Sequence, residues 1–187
     1  MIVMRRAVFL DRDGVINRAR VRDGKPCGPA TLAEFEILPG VADALGSLER
    51  AGLLLIVATN QPEVARGTQK REVVEAMHCR LLDELPLDDI KVCYEIDSPT
   101  CTCYKPKPGM LLEAARERSI DLARSYMVGD RWRDVGAGKA AGCYTVFIDR
   151  HYSEPLTDEP DAVCTDLVEA AAIILQHMRQ DPSVRGF

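Results

Sequence analysis

Five apolar runs of strand length, each followed by a helix-like pattern, restrict this chain to a narrow set of folds. The runs are Ala7–Leu10, Leu53–Ala58, Ile90–Cys93, Tyr126–Val128 and Tyr144–Ile148. They are continuously apolar, as strands are when both faces of a sheet are covered. The first helix is predicted over Val41–Ala51, with Val41, Ala44, Leu45 and Leu48 on one face and Gly52 as a stop. A second runs from Thr68, read as its N-cap, to Leu85, with Val74, Met77, Leu81 and Leu82 aligned. A third opens at Pro108, a fourth spans Trp132–Ala141, and a fifth follows Thr165. Strand alternating with helix means βαβ units. The fold class is therefore α/β: a doubly wound, Rossmann-like parallel sheet with helices on both faces. Residues 14–37 and 149–161 read as long loops.

At 187 residues the chain fits one domain over 1–187, with its core at about 7–178. A net charge of −5 and the lack of a basic stripe make nucleic acid and anionic membrane poor partners. No apolar run is long enough to span a bilayer, and the first one is too short for a signal peptide. A cytoplasmic monomer is expected. In that compartment the seven cysteines are expected to be thiols or metal ligands, not disulfides.

In parallel α/β sheets the ligand site lies beyond the carboxyl ends of the strands, and polar residues fall at those ends here. The first run ends in Asp11-Arg12-Asp13-Gly14, the second in Thr59-Asn60-Gln61, and the fourth in Gly129-Asp130, with Asp134 one helical turn on. Lys105 follows the third run in Tyr104-Lys105-Pro106-Lys107-Pro108. Any single one of these reads better as a turn former, an N-cap or a surface charge. Four strand ends together favour a catalytic centre. Like-charged carboxylates that close require a shared proton or a cation. An all-oxygen pocket of Asp11, Asp13 and Asp130 suits Mg²⁺, whose remaining positions favour phosphate oxygens. Lys105 supplies a point charge for phosphate and Thr59 a hydroxyl, while Gly14 and Gly129 allow close backbone approach.

LDRDGVIN, ATNQ, KPKPG and VGDRWRD resemble the four motifs of the haloacid dehalogenase-like phosphatases, in the same order across residues 7–178. The TNQ run followed by Ala65-Arg66-Gly67, and the Cys101-x-Cys103-x-Lys105 segment, are similar to the subgroup that contains the heptose bisphosphate and histidinol-phosphate phosphatases. The resemblance implies that Asp11 is the nucleophile and forms an aspartyl-phosphate. Asp13 would be the acid and then the base, and Thr59 and Lys105 would hold the phosphoryl oxygens. Mg²⁺ would sit on the Asp11 carboxylate, the Asp13 carbonyl and Asp130, with Asp134 in support. The substrate it implies is a heptose 1,7-bisphosphate cleaved at C7, on the way to a nucleotide-activated heptose. Only 48 positions separate Asp11 from Thr59, and 46 separate Thr59 from Lys105, so no inserted cap domain is expected. Loops must shape the pocket: 18–37, Gln61–Arg66 and the cysteine loop.

That cysteine loop, Cys93 to Cys103, has the spacing of a zinc loop in the resembling family. Three thiolates, Cys93, Cys101 and Cys103, favour Zn²⁺, with the Glu95 oxygen or water to complete the tetrahedron, but Glu95 stands where the family has histidine, which weakens the site. The alternative is a loop of three plain thiols. Tyr104 replaces an arginine usual before the motif lysine, and Pro62-Glu63 replaces Ser-Gly. Candidate substrate contacts are Asn60, Gln61, Arg66, Tyr104 and Arg131, with Arg66 and Arg131 placed to compensate for the missing arginine. Cys27, Cys79, Cys143 and Cys164 read as core or loop residues, and His78 and His177 as surface positions on helices. Rival functions are a histidinol-phosphate or other sugar or polyol phosphatase, phosphoryl transfer to an acceptor other than water, and an inactive zinc-loop binding module.

Overall fold

In a computed structural model, which describes residues 4–22 and 24–180, the predicted runs assemble into one parallel sheet. Its strands are β1 (Ala7–Leu10), β4 (Leu54–Asn60), β5 (Asp89–Cys93), β6 (Tyr126–Gly129), β7 (Tyr144–Ile148) and β8 (Ala162–Cys164), in the order β5-β4-β1-β6-β7-β8. All the neighbouring pairs are parallel. From β1 the chain winds outward to β4 and β5, then returns to the other side of β1 for β6, β7 and β8. That reversal beside β1 opens a crevice at the carboxyl edge.

The covering helices are α1 (Val41–Arg50), α2 (Arg71–Glu84), α3 (Gly109–Arg118), α4 (Trp132–Ala141) and α5 (Leu167–Gln180). Successive strand residues point to opposite faces. Val8, Leu10, Leu55 and Val57 therefore join Leu45 and Leu48 of α1, Met77 and Leu81 of α2 and Ile174 of α5 in one apolar cluster. Ala7, Phe9, Leu54 and Ile56 join Met110, Leu111 and Ala114 of α3 in the other. The continuous apolar strands of the sequence are explained by these two cores.

Four expectations change. Helix α2 begins at Arg71 after Lys70, while the Thr68 hydroxyl donates instead to the Glu63 carbonyl at 3.3 Å and caps nothing. The loop at 14–37 contains an antiparallel hairpin, β2 (Arg20–Arg22) and β3 (Lys25–Cys27), and a 3-10 turn at Leu32–Glu34. Strand β8, too short to stand out in sequence, is recruited beside β7 by Asp161, which accepts from the Thr145 amide at 2.7 Å and hydroxyl at 2.8 Å. His78 is buried and His177 half-buried against Tyr126, so neither is the surface residue expected.

Leu55 is fully buried on β4 within the larger cluster. Leu55→Ala should lower the unfolding free energy by about 2–5 kcal/mol, the cost of the lost methyl groups plus the cavity left behind, measured as a shift in the urea midpoint at unchanged slope.

Candidate active site

Strands β1, β4 and β6 end side by side, which brings the polar ends together. Asp11, Asp13, Thr59, Gln61, Lys105 and Asp134 line one open cleft of about 350 Å³. Asp11 begins where β1 stops, and its amide donates to the Val128 carbonyl of β6 at 2.9 Å. Lys105 arrives from the segment after β5. Its ammonium donates to Asp11 Oδ1 at 2.7 Å and to Asp134 Oδ1 at 2.6 Å, and its side chain is only 2% exposed. Asp134 is held from behind: its Oδ2 accepts from the Arg131 amide at 2.9 Å, closing the first turn of α4. The Lys105 backbone is bracketed by Asn60, whose Oδ1 accepts from the Lys105 amide at 3.0 Å and whose Nδ2 donates to its carbonyl at 3.2 Å.

Asp130, at the end of β6, is also buried. Its Oδ2 accepts from the Tyr152 hydroxyl at 2.9 Å, and its Oδ1 has no partner among the described residues. Close approach here depends on glycine. A Cβ on Gly14, which adopts φ +89°, would lie 1.8 Å from Asp130 Oδ2, and one on Gly129 would lie 2.0 Å from Asp134 Cβ. Ligand oxygens of Asp11, Asp130 and Asp134 lie within 4.8 Å of one another. An orphaned carboxylate oxygen facing two other carboxylates suits a hard divalent cation such as Mg²⁺.

Burial dominates the electrostatics. It raises Asp11 to about 6, with Lys105 opposing and Asp134 adding to the rise. It lifts Asp130 well above the ordinary carboxylate range, helped by Asp11 and Asp134. For Lys105 burial disfavours the charge, but Asp11 and Asp134 outweigh it and the lysine stays firmly protonated. Asp13 behaves oppositely. Burial works to raise it, yet the Arg12 charge and the hydrogen bonds from Asn17, Arg12 and Gln61 hold it below the usual range. Arg12 Nη2 reaches Asp13 Oδ1 at 2.9 Å and Oδ2 at 2.8 Å, Asn17 Nδ2 donates at 2.9 Å and Gln61 Nε2 at 2.9 Å. Gln61 also donates to the buried Thr59 hydroxyl at 3.0 Å.

Thus the two aspartates of the opening motif occupy different environments. Asp11 joins the carboxylate cluster, whereas the Asp13 side chain is held outside it. Of the expected substrate contacts, Asn60 and Gln61 spend their amides orienting Lys105, Asp13 and Thr59. Arg66, Tyr104 and Arg131 line the cleft, with Arg66 bonded to Glu63 at 3.2 Å and Arg131 forked on Glu154. The hairpin contributes Pro26, Cys27 and Gly28 to the opposite wall.

Sequence reasoning missed Arg12, Asn17, His78, Tyr152 and Arg133. Burial pushes His78 down to about 4, with the Arg12 charge adding to it, so the imidazole is neutral and its Nε2 lies 3.0 Å from Arg12 Nη1. Arg12 alone carried a signal, being enclosed by the two aspartates.

The cysteine loop differs from expectation. Cys93 and Cys103 form a disulfide where thiols were expected, and Cys101 Sγ lies 3.8 Å from Cys93 Sγ and 3.7 Å from Cys103 Sγ. Glu95 is exposed and stands outside this cluster. Cys143 and Cys164 are buried, Cys27 is exposed at the cleft, and Cys79 is exposed on α2, neither core nor loop.

An acidic, all-oxygen centre with one fixed ammonium, open at the carboxyl edge of a parallel sheet, suits hydrolytic transfer of an anionic group; the class is that of a hydrolase. Residues 7–142 match the model of the haloacid dehalogenase-like hydrolases, and the chain belongs to that family. It is 39% identical over 150 residues, 74% of this chain and 80% of the relative, to D-glycero-beta-D-manno-heptose-1,7-bisphosphate 7-phosphatase of Rhodopseudomonas palustris. It is 35% identical over 188 residues, 93% and 94% of the two chains, to the same-named protein of Escherichia coli K12. The solved D,D-heptose 1,7-bisphosphate phosphatase of B. bronchiseptica, complexed with magnesium and phosphate, superposes with a TM-score of 0.76 at 31% identity, covering 92% of this chain and 99% of that one.

Lys105→Met should leave Asp11 and Asp134 buried without their cation and lower metal-free stability at pH 7.5 by about 3–5 kcal/mol. In that variant folded Asp11, already raised by burial, loses the charge that opposed the rise and binds its proton more tightly than in the unfolded chain, so stability rises as pH falls. The deficit should shrink between pH 7.5 and pH 5.5 in urea titrations run with a chelator.

Proposed function

We propose that the protein is a Mg²⁺-dependent phosphomonoesterase that removes the C7 phosphate of D-glycero-D-manno-heptose 1,7-bisphosphate through an aspartyl-phosphate on Asp11. The 187 residues are taken to act as one domain whose loops form the pocket. The observation that carries the reading is the Lys105 ammonium, 2.7 Å from Asp11 Oδ1, beside the orphaned Asp130 oxygen. The curated relatives named as heptose bisphosphate phosphatases supply the substrate.

Asp11, kept free of the Arg12 grip that binds Asp13, attacks phosphorus as the bond to the sugar C7 oxygen breaks. Lys105 spends two of its three N–H groups on Asp11 and Asp134 and has one left for a phosphoryl oxygen. Thr59 offers its hydroxyl hydrogen to another, because Gln61 already donates to its oxygen. Asp13 is ionised before substrate enters. A dianionic phosphate raises its proton affinity by like-charge repulsion, so it takes up a proton from solvent as substrate binds and passes it to the leaving oxygen. In the second half it takes a proton from water, which attacks phosphorus and frees Asp11. Mg²⁺, held by Asp11, Asp130 and the Asp13 carbonyl with Asp134 in support, would neutralise the charge between nucleophile and phosphate.

Phosphate release should be fast and Mg²⁺-dependent with one anomer of heptose 1,7-bisphosphate and slow with histidinol phosphate. Asp11→Asn should abolish it, and Asp13→Asn should lower kcat by about 10²–10⁴. Turnover by Asp11→Asn near the wild-type rate would overturn the nucleophile assignment. Preference for histidinol phosphate would move the substrate to the alternative.

We infer further that the reduced protein holds zinc on Cys93, Cys101 and Cys103. A tetrahedron with Zn–S bonds of about 2.3 Å has S···S edges of about 3.8 Å, against 3.8 and 3.7 Å for the two non-bonded pairs. The Cys93–Cys103 disulfide occupies the third edge and excludes the metal, while the fourth position falls to a ligand other than Glu95. Elemental analysis after purification under reductant should find stoichiometric zinc, lost on oxidation; a reduced, zinc-free protein would overturn the assignment.

A further inference from the structure

We infer that Arg133 selects substrates carrying a second phosphate, by gripping the phosphate that is not cleaved; the inference rests on the phosphatase reading above. Three arginines line the cleft, Arg66, Arg131 and Arg133. Arg66 is bonded to Glu63 and Arg131 to Glu154, so a carboxylate offsets the charge of each. Arg133 has no carboxylate partner among the described residues. Its Nη1 makes one long contact, 3.5 Å, to the Lys105 carbonyl, and its Nε is buried with no hydrogen-bond partner among the described residues. A guanidinium offers five donors in a fixed fork, and buried donors are ordinarily satisfied. This one is satisfied neither in charge nor in hydrogen bonding, and it stands in a cleft built for an anion.

The guanidinium is also held in place. It lies 5.2 Å from the Tyr104 ring centroid and 4.6 Å from that of Trp132. Two aromatic walls reduce the conformational freedom that binding would otherwise remove. From sequence, the tyrosine at position 104 is expected to be compensated by an arginine elsewhere in the cleft, and the arginine that rests on the Tyr104 ring is Arg133. Arg66 and Arg131, to which the sequence pointed for this compensation, are committed to carboxylates.

Position decides which phosphate is gripped. Arg133 touches the Lys105 carbonyl, and the other end of the same lysine touches Asp11. The guanidinium and the Asp11 carboxylate therefore sit at opposite ends of one lysine, no further apart than that residue and its two contacts reach. The transferring phosphoryl is served at Asp11 by Lys105 and Thr59; a phosphate on the far side of the sugar ring meets Arg133. A substrate presenting an ammonium there, such as histidinol phosphate, meets like charge instead.

The test compares wild type, Arg133→Gln and Arg133→Lys on heptose 1,7-bisphosphate, heptose 7-phosphate and histidinol phosphate, with kcat and KM separated. Arg133→Gln should reduce the preference for bisphosphate over monophosphate, as the ratio of kcat/KM, by about 10- to 100-fold, the worth of a charge-assisted contact. The loss should appear chiefly in KM, Arg133→Lys should recover part of it, and histidinol phosphate should gain relative to the bisphosphate. Equal losses on bisphosphate and monophosphate would mean that Arg133 only supports the fold, and an unchanged ratio would mean that it does not touch substrate; either overturns the inference. A wild-type protein that releases phosphate from none of the three would overturn the phosphatase reading and this inference with it, and the wild-type arm alone identifies that case.

Discussion

Three carboxylates converge at the carboxyl edge of the sheet, buried where charge is costly, and a single lysine makes their convergence tolerable. Lys105 touches Asp11 and Asp134, and their charge keeps it protonated despite near-complete burial. One ammonium does not neutralise three carboxylates. The remaining negative charge, together with the unpartnered Asp130 oxygen, is a standing demand for a cation of higher charge. The same centre is thus stabilised by its ligands and activated by them. Moving any one group alters the protonation of the others, as expected when buried sites titrate together.

Much of the architecture serves to hold these groups still. The sheet reversal at β1 brings the ends of β4 and β6 beside Asp11. Helix α4 fixes Asp134 through its own first turn, and the segment after β7 braces the other side. There Tyr152 donates to Asp130, and Arg150 Nε donates to the Gly14 carbonyl at 2.9 Å. Asp13 is held by a separate set, Arg12, Asn17 and Gln61, with a neutral His78 behind Arg12. Two aspartates two residues apart can therefore differ in protonation: Asp11 is raised by burial, while Asp13 is lowered by its partners in spite of burial.

The sheet and its helices were legible because doubly covered strands must be apolar throughout, and only positions such as Val8 and Phe9, each buried on its own face, satisfy that. The candidate site residues Asp11, Thr59 and Asp130 were legible because they sit at strand ends. The supporting residues were not. His78 reads as an ordinary helical position until α2 brings it against Arg12, and Tyr152 lies in a segment with no periodicity at all. Arg133 carries a charge that looks solvated until Tyr104 and Trp132 are placed around it. Strand β8 is recognisable only once β7 offers it a ladder. In each case the information lies in a long-range contact that no local pattern encodes.

The carboxamide of Asn60 imitates a peptide group. It gives one acceptor and one donor to the main chain of Lys105, as a neighbouring strand would. The lysine is thereby stitched to the edge of β4 although it belongs to no strand. Mechanically, the segment between β5 and Tyr104 becomes a loop tied at both ends, to β4 through Asn60 and to itself through the Cys93–Cys103 disulfide. The outer part of that loop can then change in length and shape, altering which molecules reach the cleft, without displacing the Lys105 ammonium.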